Sequence, residues 1–148
     1  MTNDTINIEV FYPYSVQQVW TALTDSEALS VWLMVNDFEP HIGHRFTFTA
    51  PGPGWSGLIH CEVVAVDHLH RVAYTWRGEP NDWETLVTFT LEPAEGGTRL
   101  QLVHSGFEAG AQVGFSARDM MAHGWNSRIL REKLPALLAE QTKKASPA

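Results

Sequence analysis

The chain has 148 residues, 44% hydrophobic and 11% aromatic, with a formal net charge of -7. That is the length of one domain with enough apolar material for a core, and it excludes a disordered chain. The acidic balance speaks against nucleic acid as a partner, because phosphates call for Lys and Arg, and no apolar run approaches the ~20 residues of a membrane span. The N-terminus lacks a basic segment followed by an apolar one, so no secretion signal is expected. Cys61 is the single cysteine and cannot form an internal disulfide, which fits a reducing, cytoplasmic setting.

Residues 6–12 alternate Ile6, Ile8 and Val10 against Asn7 and Glu9, the pattern of a half-buried strand that Pro13 closes. Ser15 with Gln18 forms a capping box, and Val16, Val19, Trp20 and Leu23 share one helical face. Thr24 with Glu27 reads as the cap of a second short helix bearing Ala28, Leu29, Trp32 and Leu33. Neither helix is long enough to stand alone, so both must pack on something.

From there the period becomes two. Phe46 and Phe48 alternate with Arg45, Thr47 and Thr49, and the Gly-Pro stretch 51–57 reads as a long hairpin loop. In the next strand, 58–66, valines fall on both parities and leave its inner face open. His68, Leu69 and His70 make the turn. Val72, Tyr74 and Trp76 form the next apolar alternation, a loop follows at 78–82, and Val87, Phe89 and Leu91 continue the pattern. After a tight turn at 95–97, Leu100, Leu102 and His104 oppose Arg99, Gln101 and Val103. Consecutive strands with short turns predict an antiparallel meander.

A glycine-punctuated loop, 105–114, leads to the last element. Ser116 with Asp119 resembles a capping box, and Met121, Trp125, Ile129, Leu130, Leu134, Leu137 and Leu138 recur at helical spacing. The spacing predicts a helix over 115–141, about 39 Å long. Pro135 cannot donate to the ladder and crowds the preceding turn, so a kink is expected near 131–134. The domain is expected to span 1–141, with 142–148 a flexible C-terminal tail.

The fold class is therefore α+β: a curved antiparallel sheet with two short helices and one long C-terminal helix packed across its apolar face. Four stretches, at 19–25, 72–76, 97–107 and Gly124-Trp125, resemble the START-like, or helix-grip (SRPBCC), superfamily. More narrowly they resemble the branch typified by the activator of the ninety-kilodalton heat-shock protein ATPase. The resemblance covers essentially the whole chain. It implies a sheet gripping the C-terminal helix with a cavity between them, which in relatives takes lipids, hormones or polyketides. It also implies a chaperone partner and a place in the stress response.

By parity, Phe46, Phe48, Tyr74, Trp76, Phe89, Leu100, Leu102 and His104 face the long helix, which answers with Met121, Trp125 and Ile129. Each residue alone is adequately explained as core. Together, bulky residues on a concave sheet that does not meet its helix everywhere make an apolar ligand site. His104 is the polar member: either a buried histidine bonded to a backbone carbonyl, or a group that binds a ligand carbonyl or moves protons, which makes it the one weak catalytic candidate.

His41 with His44, and His68 with His70, lack the further ligands of a zinc site, and no phosphate-cradling glycine motif appears, so no metal or cofactor is expected. Cys61 reads as inert core, and the acids at 37–39 and 92–95 as solvated surface. Trp55, in the Gly-Pro loop, is either folded over the core or exposed as a contact point.

The leading reading is a small hydrophobic-ligand-binding protein whose loop 106–114 gates the pocket. A chaperone-binding module ranks second, and a cyclase- or hydrolase-type enzyme using the same pocket third. A homodimer, through an edge strand or Trp55, is compatible with each.

Overall fold

The computed structural model describes residues 5–49, 58–78, 84–106 and 130–145, with side chains to Glu140. The expectations for the 51–57 loop with Trp55, for most of the 78–82 and 106–114 loops, for His123, and for the helix over 115–129 with Met121, Trp125 and Ile129 lie outside the described residues. So do residues 146–148.

Strand β1 (Thr5–Tyr12) is followed by helices α1 (Val16–Thr24) and α2 (Ser26–Trp32). The Ser15 hydroxyl accepts from the Gln18 N–H at 3.1 Å, as the capping pattern predicts. The cap of α2 is displaced by one residue from the expectation. Asp25, not Thr24, accepts from the Ala28 N–H at 3.0 Å, and the Thr24 hydroxyl turns back to the Trp20 carbonyl at 2.8 Å. A threonine still inside the first helix can satisfy its hydroxyl on that helix, which leaves the next residue to open the second.

The remaining strands are β2 (Val35–Asn36), β3 (Arg45–Thr49), β4 (Leu58–Asp67), β5 (Arg71–Gly78), β6 (Thr85–Ala94) and β7 (Gly97–Ser105). They form one seven-stranded sheet in the order β1-β7-β6-β5-β4-β3-β2, with every pair antiparallel. The meander is as expected, and β1 returns to pair with the last strand, Ile8 opposite Leu102. Leu69 stands at φ 67° in the β4–β5 turn, a left-handed conformation uncommon for a non-glycine residue.

The inner face of β4, open in the sequence, carries Ile59, Cys61 and Val63, all buried. The register then shifts between Val63 and Ala65, and Val64 is exposed. A bulge inserts one residue and resets the alternation, which is why valines fall on both parities.

The C-terminal helix α3 (Leu134–Ala145) follows a wider π-helical turn at 130–133. The irregularity lies where Pro135 predicts one. In an i→i+5 pattern the Leu130 carbonyl would look to residue 135, and proline has no N–H. The Tyr12 hydroxyl takes that place, donating to the Leu130 carbonyl at 2.6 Å. Gln18 on α1 donates to the Leu138 carbonyl at 2.9 Å, and Leu130, Leu134 and Leu138 are fully buried against the core. The helix runs to Ala145, four residues beyond the predicted end at 141 and into the expected tail. A curved antiparallel sheet with two short helices and a C-terminal helix is the helix-grip arrangement.

Candidate functional site

Alternation along β3, β5, β6 and β7 turns Phe46, Phe48, Tyr74, Trp76, Phe89, Leu100, Leu102 and His104 to one side, and all are buried. Their rings meet along β3, across β4 between β3 and β5, and between the neighbours β5 and β6. Phe46 meets Phe48 and Tyr74 at centroid separations of 5.3 Å each, Phe48 meets Trp76 at 5.4 Å, and Tyr74 meets Phe89 at 6.3 Å. Most of these pairs are edge-on or tilted, the arrangement that ring quadrupoles favour. The structure thus brings together seven of the ten residues singled out for the ligand site: Phe46, Phe48, Tyr74, Trp76, Phe89, Leu102 and His104. The other three, Met121, Trp125 and Ile129, lie outside the described residues.

Two members of this surface escaped the sequence reading. Phe38, flanked by Asp37 and Glu39, is buried and packs edge-on against Phe46 at 5.2 Å. Asp37 secures the segment by accepting from the Thr47 N–H at 2.9 Å. A lone aromatic between two acids has no periodicity to announce it. Thr85 lies two residues before the alternation begins at Val87, on the inward parity of β6, so extending the strand by one pair would have found it.

Thr85 determines the state of His104. Its hydroxyl donates to the Trp76 carbonyl at 3.0 Å and lies 2.7 Å from His104 Nε2. With its one proton committed to the carbonyl, the hydroxyl accepts from Nε2–H, which sets the neutral tautomer. The partner is a side chain that itself rests on a backbone carbonyl, one step removed from the carbonyl expected for a buried histidine. Burial holds the His104 pKa down at about 3, so the ring is neutral at physiological pH. The indole of Trp76 stands edge-on to it at 5.5 Å.

The other buried hydroxyls on this face have partners, with one exception. Tyr12 donates to Leu130 and Thr98 to the Tyr14 carbonyl at 2.7 Å, whereas the hydroxyl of Tyr74 has no hydrogen-bond partner among the described residues. Burial raises the Tyr74 pKa well above the ordinary phenol value, with the neighbouring Cys61 adding to the effect, so it remains a neutral donor. Cys61 is itself pushed upward by burial and is a thiol, not a nucleophilic thiolate.

The opposite face of the sheet holds a shallow groove of about 390 Å³. It is lined by Arg45, Thr47, His60, Glu62, Thr75 and Arg77, the outward alternates of β3, β4 and β5, with Asp37 and Glu84, and it also touches the inward-facing Phe46 and Cys61. Its mixed charge and openness contrast with the neutral inner face. Among the described residues no three His, Cys, Asp or Glu side chains are grouped to hold a metal ion. No described helix is long and apolar enough to cross a membrane.

The profile of the family described as activator of Hsp90 ATPase homolog 1-like protein matches residues 13–139. The chain belongs to that family. Among solved structures, this activator-homolog chain is similar to a Mesorhizobium loti protein at 31% identity and TM-score 0.76, over 97% of this chain and 99% of that one. A Bacillus halodurans protein solved in solution is 30% identical with TM-score 0.76, over 90% and 96% of the two chains. An Hsp90 activator from Plasmodium falciparum has TM-score 0.70 over 86% and 91%, and at 19% identity shows the shared fold alone. No curated protein matches the chain.

Proposed function

We propose that this activator-homolog family member binds a small apolar molecule between the inner face of the sheet and its C-terminal segment. The observation that supports the reading best is the continuous aromatic surface from Phe38 through Phe46, Tyr74 and Phe48 to Trp76, ending at the neutral Thr85–His104 pair. Apolar walls with a few convergent polar groups are the usual composition of a small-molecule site. Met121, Trp125 and Ile129 complete the wall in this proposal, and loop 106–114 gates it. The buried free thiol of Cys61 suits a reducing cytoplasm. Trp76 lies within the surface, so titration with a broad hydrophobic library should quench or shift tryptophan emission in a saturable way. A flat response across the library, with Trp76→Phe establishing how much of the signal is its own, removes this reading.

Family membership favours a second reading, a module that docks on a chaperone of the Hsp90 class. Fold kinship alone does not fix function. Three exposed apolar side chains, Val31 on α2, Val35 on β2 and Ile42 in the loop to β3, offer contacts for such a partner, and the net charge of -7 suits a basic surface. A pull-down with the host's own chaperone of that class decides: saturable binding supports docking and its absence ends it. Sedimentation of the free protein reads whether an edge strand pairs two copies.

A further inference from the structure

The inner face is nearly self-sufficient in hydrogen bonds. Thr85, His104, Thr98, Tyr12 and the Trp32 indole each have a protein partner. The Tyr74 hydroxyl is the one buried side-chain oxygen or nitrogen among the described residues without one, and Tyr74 is fully buried. Four phenylalanine rings pack around it, Phe38, Phe46, Phe48 and Phe89, with centroids 5.3 to 6.3 Å away. Phenylalanine would fill nearly the same space there without stranding a polar atom. A buried unpaired hydroxyl is costly, and such groups in native proteins call for an explanation outside packing.

We infer that the Tyr74 hydroxyl is the hydrogen-bond donor for the bound molecule, which is therefore neutral and carries a carbonyl, ether or hydroxyl oxygen within an otherwise apolar skeleton. The inference rests on the pocket reading above and narrows it. Two features restrict the ligand further. The buried polar or charged residues among those described are Thr85, Thr98 and His104 alone, so no buried Lys or Arg is present to compensate a carboxylate. His104, neutral and already engaged with Thr85, does not supply that charge. A fatty-acid head or a phosphate is thus disfavoured, whereas a ketone or lactone oxygen is matched by the phenol.

The test uses the full-length protein with probes matched in shape: benzophenone against diphenylmethane, 2-dodecanone against dodecane, and laurate as the anionic control, with Kd from protein-observed NMR titration. The expected result is a preference of about tenfold for each ketone over its hydrocarbon, the size of one net hydrogen bond. Tyr74→Phe should abolish that preference while leaving hydrocarbon affinity unchanged, and laurate should bind more weakly than 2-dodecanone. Without ligand, Tyr74→Phe should melt at or about 3 °C above the parent, since it removes an unpaired group. Equal binding of ketone and hydrocarbon overturns the inference and leaves the apolar pocket standing. Tighter binding of laurate also overturns it, as does a Tyr74→Phe protein that melts several degrees lower, because the hydroxyl then has a partner inside the protein. Failure of every probe to bind overturns the pocket and the inference together.

Discussion

His104 enters the folded state without a proton. Its pKa falls from an ordinary 6.5 to about 3 on burial, so the unfolded chain takes up a proton below pH 6.5 that the folded chain refuses. Stability from this group is complete above pH 6.5 and is lost as pH falls toward 3, at about 1.4 kcal/mol per pH unit. Between pH 7 and pH 5 the loss from His104 alone should be about 2 kcal/mol. Urea melts at the two pH values, compared with His104→Gln, check this: the variant should show a shallower pH dependence. Thr85→Val keeps the shape but removes the oxygen between Nε2 and the Trp76 carbonyl, and should cost about 1 to 3 kcal/mol. The same denaturant melts read it. That His104 faces inward is legible in the sequence, because it shares parity with Leu100 and Leu102. That Thr85 is its partner depends on β6 and β7 being neighbours in register, with Val87 opposite His104.

At the scale of elements, a hydrogen bond from β1 joins the one from Gln18 on α1 in tying the start of the described chain to its end. Tyr12 closes β1 and its hydroxyl caps the carbonyl that the π turn before α3 leaves open. Tyr12→Phe should cost about 1 to 3 kcal/mol and speed amide exchange in the first turn of α3 more than in the sheet. Exchange measured residue by residue distinguishes this from uniform destabilisation. The β1–β7 pairing has its own tight point at Gly97, where an added Cβ would overlap the Tyr12 carbonyl oxygen and the Pro13 backbone. Gly97→Ala should therefore push the end of β1 away from the sheet and cost about 1 to 3 kcal/mol or more, read as a fall in Tm. Pro135 announces an irregular turn in the sequence. It does not announce the tyrosine that compensates it, which lies 118 residues from the carbonyl it serves.

For the whole molecule, the C-terminal helix is part of the core and not an appendage. Leu130, Leu134 and Leu138 are fully buried beside α1 and α2. At about 1.5 to 3 kcal/mol each, their removal approaches the total stability of a domain, typically about 5 to 15 kcal/mol. A chain ending at residue 129 should lose its cooperative thermal transition, checked by circular dichroism and calorimetry against the full chain. This follows from layering: the sheet has one apolar face, and the elements that cover it share a single core.

Period-two and helical patterns were sufficient to determine the antiparallel meander of consecutive strands, the inward sides of β3, β5, β6 and β7, and the Ser15 cap, but not the pairing of β1 with β7 or the short strand β2. Each depends on residues within a few positions of one another. The inner face of β4 was not legible, because the bulge at Val63 to Ala65 changes parity mid-strand and only pairing with β5 reveals where. The burial of Phe38, the Thr85–His104 contact and the isolation of the Tyr74 hydroxyl belong to the tertiary structure alone. They depend on which side chains from distant segments converge in three dimensions, and a linear pattern of apolar and polar residues does not encode whether a given hydroxyl will find a partner there.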